Sequence, residues 1–232
     1  MEKLIFHGFH IFSGVYLRII PDDYVDEVKG ILSGLRDNVR VLLFTQRYKC
    51  AGCREAEALL QDLSELSSKI VLEKYVYEDS RGKFNEYNVT YVPTIIVVSP
   101  QTGGMARFLG VPLGYEFSSL LEDLIHASTG ETHLPKSVVR AVGEVNVDVD
   151  VKVFVTLSCP YCPMAVGVAH SFSLINPKIK SEMIDASLFP NLALKYSVSA
   201  VPKTVINDSI EIVGAYPPEA LLQKILEAVK RR

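Results

Sequence analysis

Apolar residues recur along the chain at two spacings, and the alternation between them divides it into elements. A period near 3.6 predicts an amphipathic helix over about Asp22 to Gly34. It returns from Cys53 to about Ser68, where Ala56, Leu59, Leu60, Leu63 and Leu66 share one face. Strand patterns fall at Val39 to Thr45 and Ile70 to Tyr77, and a short helix follows the second. Strands Thr94 to Ser99 and Met105 to Leu109 are joined by Pro100-Gln101-Thr102-Gly103-Gly104, which reads as a hairpin, and a closing helix covers about Glu116 to Ala127.

The same series then runs again. It predicts a helix over about Pro135 to Gly143, strands Val149 to Thr156 and Ile179 to Ile184, and a hairpin of Lys203 to Ile206 and Ile210 to Val213 turned by Asn207-Asp208-Ser209. The final helix is Pro218 to Lys230. Two cysteine pairs, Cys50-Ala51-Gly52-Cys53 and Cys159-Pro160-Tyr161-Cys162, each follow the first strand of a series and open a helix. Superimposing the pairs lays Tyr87-Asn88-Val89-Thr90-Tyr91-Val92-Pro93 on Tyr196-Ser197-Val198-Ser199-Ala200-Val201-Pro202. The proline stands 43 residues after the first cysteine in both. Motif and spacing agree together, so the chain holds two copies of one module. Each copy reads as an α/β unit, a mixed sheet with helices on both faces. Residues 21–128 and 129–232 are the expected modules, joined near Gly130 to Leu134. Residues 1–20 form an extension outside the repeat.

The chain has 232 residues, 48% hydrophobic and 22% charged, with a formal net charge of −3. Such a balance suits one or two packed cores and carries no basic footprint for nucleic acid. The apolar runs are strand-length, far below the roughly 20 residues of a membrane span. From Leu4 to Leu17 the chain is mostly apolar. Glu2 and Lys3 cancel there and no small-residue cleavage pattern follows, so the segment reads as structure and not as a targeting signal. The pattern around His10, Phe12, Tyr16 and Arg18 predicts an extra strand or hairpin, whose free edge a homodimer would cover.

All four cysteines belong to the two pairs. Isolated pairs of this spacing point to redox chemistry or to metal, not to structural staples. Zinc ribbons place their second pair about 15–20 residues after the first, whereas 105 residues separate Cys53 from Cys159. A zinc-bound scaffold is therefore the weaker alternative. At a helix start the backbone amides and dipole favour a thiolate, so Cys50 and Cys159 are the expected nucleophiles and Cys53 and Cys162 the resolving thiols. Lys49, Arg54 and Arg47 add positive charge near the first pair, while Ser158 and Pro163 flank the second. Phe44 and Val153 stand six positions before the first cysteines, where a buried acid would be sought, so no carboxylate base is assigned. His126, His133 and His170 lack metal spacing and read as surface or helix residues.

A strand, a CxxC at a helix start and a Val-Pro 43 residues on resemble the thioredoxin fold. Two such modules, with Cys159-Pro160-Tyr161-Cys162-Pro163 in the second, resemble the glutaredoxin-like protein disulfide oxidoreductases of heat-loving archaea and bacteria. The resemblance runs from about Pro21 to the C-terminus and includes Phe108-Leu109-Gly110-Val111-Pro112 and Gly214-Ala215-Tyr216-Pro217. It implies two tandem thioredoxin-fold modules and a redox-active disulfide within each pair. It further implies cis peptides before Pro93 and Pro202, facing the cysteines. Val92 and Val201 would then offer backbone to a substrate strand, and Tyr161 would pack on the substrate. The implied enzyme reduces, forms or isomerises protein disulfides. It would need no bound cofactor or metal, and would take electrons from a thioredoxin-reductase-type donor. Neither nucleic acid nor membrane is an expected partner, and the expected location is the cytoplasm. An electron relay between a flavoprotein reductase and a peroxidase is the alternative reading. Ala51-Gly52 departs from the Gly-Pro of thioredoxins and the Pro-Tyr of glutaredoxins. Lys74 stands where thioredoxins carry a lysine near the cysteines.

Overall fold

The computed structural model describes residues 18–231. In the first copy the elements are α1 (Asp22–Leu32), β1 (Val39–Thr45), α2 (Cys53–Leu66), β2 (Ile70–Val76), α3 (Arg81–Glu86), β3 (Thr94–Val98), β4 (Met105–Leu109) and α4 (Glu116–Thr129). The second copy repeats them as α5 (Lys136–Gly143), β5 (Val149–Val155), α6 (Cys162–Ile175), β6 (Ile179–Asp185), α7 (Pro190–Lys195), β7 (Lys203–Ile206), β8 (Ile210–Val213) and α8 (Pro218–Lys230). The hydrophobic pattern places these elements with shifts of only a residue or two at their ends. β1, buried at all positions but Arg40, is the doubly covered strand that its apolar run predicts.

The two copies do not keep separate sheets. Among the described residues their strands form one eight-stranded sheet in the order β2-β1-β3-β4-β6-β5-β7-β8. The junction is a parallel pairing of β4 with β6, in which Arg107 stands opposite Glu182 and Phe108 opposite Met183. Each of these strands would be an open edge in an isolated module, and pairing them satisfies both rows of backbone groups. β1 and β4 run the same way, because each is antiparallel to β3; β5 and β6 are parallel to β4 in turn. The C-terminal ends of β1 and β5, and the cysteines that follow them, therefore lie on one edge of the sheet. Four strand spacings separate them, about 19 Å.

One large apolar core covers a single face. It runs from Leu32, Leu59 and Leu120 in the first copy to Val142, Val166, Phe172 and Ile225 in the second. α6 is buried on nearly all sides and packs against α4 of the other copy. Among the described residues the opposite face carries only α3 and α7, each over its own small cluster: Phe44, Phe84 and Ile96 under α3, and Phe154, Ile184 and Tyr196 by α7.

The β3–β4 turn is seated on the C-terminal end of α6. Thr102 Oγ1 donates to the Leu174 carbonyl at 2.5 Å. A Cβ added at Gly104 would strike the carbonyls of Ser173 and Leu174, both backbone atoms that cannot swing away. Gly104→Ala is therefore expected to destabilise the chain by about 1–3 kcal/mol, the usual range for overpacking. The urea midpoint checks it, and an unchanged midpoint would show that the seat is loose.

The strand or hairpin expected from His10, Phe12 and Tyr16 lies outside the described residues. Where description begins, the Ile19 and Ile20 amides both donate to Asp62 Oδ2 on α2, at 2.7 and 2.9 Å. Among the described residues no helix is long and apolar enough to cross a membrane.

Candidate active site

The second site is built where β5 ends. The Cys159 amide donates to the Thr156 carbonyl at 3.0 Å, which turns the chain so that α6 begins at Cys162, three residues later. Cys159 and Cys162 are disulfide-bonded, with their Cα atoms 5.5 Å apart. Cys159 is 9% exposed and Cys162 0%, so the first residue of the pair touches solvent and the second does not. That asymmetry is what an attacking and a resolving thiol require. The Cys159 Sγ lies 3.9 Å from the Val201 carbonyl oxygen, and the Val201–Pro202 peptide is cis. Tyr161 and Met164 stand exposed beside the pair.

The first site repeats this plan with one change. Cys50 and Cys53 are also bridged, Cα to Cα 5.6 Å, and α2 begins at Cys53. Val92–Pro93 is cis, as its counterpart is. Gly52 has φ +83°, and a Cβ there would meet Val111 at 3.0 Å, Leu188 at 3.4 Å and Pro93 at 3.5 Å. This explains the Ala51-Gly52 dipeptide. The turn needs a left-handed residue, and a side chain of the second copy, Leu188, packs down on it.

A glycine completes each site. The Gly110 amide donates to the Pro93 carbonyl at 3.0 Å, and that of Gly214 to the Pro202 carbonyl at 2.8 Å. Both glycines have positive φ, +120° and +102°. The shared Gly after each hairpin thus fixes the backbone behind each cis proline.

Charge near the first pair differs from the sequence expectation. Arg47 is paired with Asp79 at 2.5 Å, and Lys74 with Glu57 at 2.5 Å, so neither is a free cation beside the sulfurs. Lys49 and Arg54 remain without an ion pair among the described residues.

Two buried acids that the sequence did not reveal lie along the same sheet edge, between the dithiols. Tyr115 donates its amide to the Leu157 carbonyl at 3.0 Å, two residues before Cys159, and this seats Glu116 at the start of α4. Glu116 is fully buried. Its Oε2 accepts from Ser119 Oγ at 2.8 Å, while Oε1 has no partner among the described residues. Desolvation is the largest influence and pushes its pKa up to about 8, with Asp123 and Asp185 adding repulsion. Asp185, at the end of β6, is raised by burial as well, against amide donation from Ser187 and Leu188. A carboxyl that exchanges its proton near neutral pH thus sits beside the strand leading to the second dithiol. The signal was present but needed the repeat: Asp185 replaces Val76 of the first copy, and Glu116, counted from the paired glycines, replaces Ala220.

The described histidines divide between the surface and helix positions that the sequence predicts. His170 is fully buried on α6, its Nδ1 2.6 Å from Asp123 Oδ2 and its ring edge-on to Phe108. His126 is buried on α4, and burial lowers its pKa. Of the three described histidines only His133 lies exposed. A four-thiolate zinc site is not formed, since the two pairs stand four strand spacings apart. Among the described residues no group of three or more His, Cys, Asp and Glu side chains is placed to hold a metal.

Two CxxC turns at helix starts, each facing a cis proline, define a tandem thioredoxin-fold protein. The thioredoxin domain family matches residues 149–227. The solved structure of a protein disulfide oxidoreductase from Aeropyrum pernix K1 superimposes with a TM-score of 0.87 at 30% identity, covering 94% of this chain and 97% of that one. The chain belongs to the protein disulfide oxidoreductase family. The F subunit of alkyl hydroperoxide reductase from Escherichia coli (strain K12) is 29% identical over 155 residues, 66% of this chain and 27% of that protein. Its counterpart in Xanthomonas campestris pv. phaseoli is 28% identical over 182 residues, 78% of this chain and 32% of that protein. The chain thus spans about a third, or less, of the length of these curated relatives. A structure of the F subunit of alkylhydroperoxide reductase from Enterococcus faecalis shares the fold, with a TM-score of 0.82 at 24% identity, over 89% of this chain and 99% of that one.

Proposed function

We propose that the chain catalyses thiol–disulfide exchange on protein substrates, with residues 21–128 and 129–232 each supplying one dithiol. The observation that carries this is the Cys159 Sγ beside the Val201 carbonyl, in a pair whose first residue touches solvent and whose second does not. The Cys159 thiolate attacks one sulfur of a substrate disulfide and expels the other as a thiolate. Cys162 then attacks Cys159 Sγ, releasing the reduced substrate and leaving the Cys159–Cys162 disulfide. Two electrons pass to the substrate, and a dithiol donor, here a thioredoxin-reductase-type protein, restores the pair. Run backwards, the same steps oxidise a substrate dithiol. The backbone of Val201, and of Val92 at the first site, pairs with an extended substrate strand, and Tyr161 packs on it. Cys50 and Cys53 play the matching roles at the first site.

The relay reading is favoured by the similarity to the F subunit of alkyl hydroperoxide reductase. In it, the same dithiols pass electrons from a flavoprotein reductase to a peroxidase. DTT-dependent insulin reduction, with the zinc content of the reduced protein measured alongside, tests the proposal. Insulin reduction by zinc-free protein is expected. Inactivity on insulin despite intact dithiols would favour the relay, and stoichiometric zinc would favour the scaffold.

A further inference from the structure

The sheet's second face holds charge that the redox chemistry does not use. α3 and α7 cover its two halves separately, and the β4–β6 seam lies between them. Arg107 on β4 lines this gap and is only 5% exposed. Its Nη1 donates to the Tyr87 carbonyl at 2.8 Å.

The carboxylates around Arg107 are each engaged elsewhere. Glu182, opposite in register, pairs with Lys180 at 2.9 Å. Asp150 and Asp208 both pair with Lys152, at 2.6 and 3.0 Å. Among the described residues no carboxylate comes within ion-pair distance of Arg107 or of Lys195, whose ammonium lies 4.9 Å from the centre of the Tyr196 ring. Two cationic side chains without an ion pair among the described residues therefore line one cavity of about 170 Å³. A second cavity of about 370 Å³ adjoins it, sharing Asn88, Arg107 and Lys180. Burial lowers the Arg107 pKa, and Glu182 and Asp150, neither of them in ion-pair contact with it, offset that desolvation cost only in part.

We infer that this cleft binds a phosphate dianion, free or as the phosphate of a monoester, between Arg107 and Lys195. Two cations without ion-pair partners suit a dianion, and the guanidinium fork suits two oxygens of one phosphate. The smaller cavity takes the phosphate, and the adjoining one has room for an ester substituent. Arg107 belongs to the first copy and Lys195 to the second, so the anion would brace the two halves. The inference rests on charge and burial and stands apart from the redox reading.

Isothermal titration of the full chain with sodium phosphate and with glycerol 3-phosphate, at ionic strength fixed with chloride, tests it. Saturable binding at one site is expected. Arg107→Met should abolish it, and Lys195→Ala, at an exposed position on α7, should weaken it about tenfold. If Arg107→Met does not fold, Arg107→Lys, which loses the fork but keeps the charge, carries that arm with a clear loss of affinity expected. Tighter binding of the ester identifies a monoester as the ligand, and tighter binding of inorganic phosphate identifies the free ion. No saturable binding of either probe, or wild-type affinity in Lys195→Ala and the Arg107 variant, overturns the inference.

Discussion

Cys159→Ser is expected to lower the rate of DTT-dependent insulin reduction to about 1% or less of wild type, because the attacking sulfur is removed. Cys50→Ser is expected to keep a measurable part, on the order of tens of per cent. The difference follows from the surroundings of the two turns. At the second site the sulfur lies 3.9 Å from the Val201 carbonyl, and exposed Tyr161 and Met164 border the approach. At the first, Leu188 and Val111 press on Gly52, and Cys50 Sγ lies 3.7 Å from the neighbouring Ala51 carbonyl. Cys50 is itself more exposed than Cys159, so the expected order rests on the placement of the Cys159 sulfur against the Val201 carbonyl and not on access. The nearby cations do not reverse this order, since Arg47 is tied to Asp79 and exposed charges are screened by salt. Initial rates of the two single variants decide the matter. Greater damage in Cys50→Ser would assign the leading role to the first pair.

Glu116→Gln is expected to change the pH dependence of stability more than any other single substitution. Folding raises this carboxyl from 4.5 to about 8, chiefly by desolvation. The native chain therefore holds the proton more tightly than the unfolded chain does. Its contribution to stability is full below about pH 4.5 and is lost as the pH rises towards 8. At about 1.4 kcal/mol per pKa unit the loss is on the order of 4–5 kcal/mol. Glutamine keeps the shape and cannot ionise. The variant should thus be the more stable chain above pH 8, and its stability should fall less between pH 5 and 9. Asp185 and Asp62, both raised by burial, leave a residual slope of the same sign. Urea denaturation of the oxidised protein at pH 5, 7 and 9 measures the effect. Parallel curves for variant and wild type would show that Glu116 titrates normally.

The modules and their dithiols were legible because a repeat leaves a long-range signal in a single chain. Cysteine pair, Val-Pro and glycine recur at matching positions in both copies, and local periodicity supplied every helix and strand between them. The joining of the sheets left no such mark. β4 and β6 are far apart in sequence, and each reads as an ordinary strand, so their pairing depends on two open edges meeting in space. The buried acids were missed for a related reason. Glu116 and Asp185 come from α4 and β6, whereas a carboxylate base would be sought on the strands that carry the cysteines. Arg47 reads as a charge near the first pair because Asp79 approaches it only in the folded chain, and the pairing of Lys74 with Glu57 is equally invisible in the sequence. His170 lies on a helix, as its sequence predicts, but α6 is enclosed by α4 and the sheet, so its imidazole is buried against Asp123. Leu188 reached the first site unannounced, since nothing in either copy alone indicates contact across the seam.

The nucleophilic role of Cys159 is most directly tested by trapping. Cys162→Ser removes the resolving thiol, so attack on a substrate should stop at the mixed disulfide. With Cys50 and Cys53 also replaced by serine, the reduced chain has a single thiol, and a disulfide-linked peptide is the substrate. Intact-mass and peptide-mass analysis should then find one peptide attached through Cys159, released by DTT. No adduct on the folded triple variant, under conditions where wild type reduces the same peptide, would contradict the account.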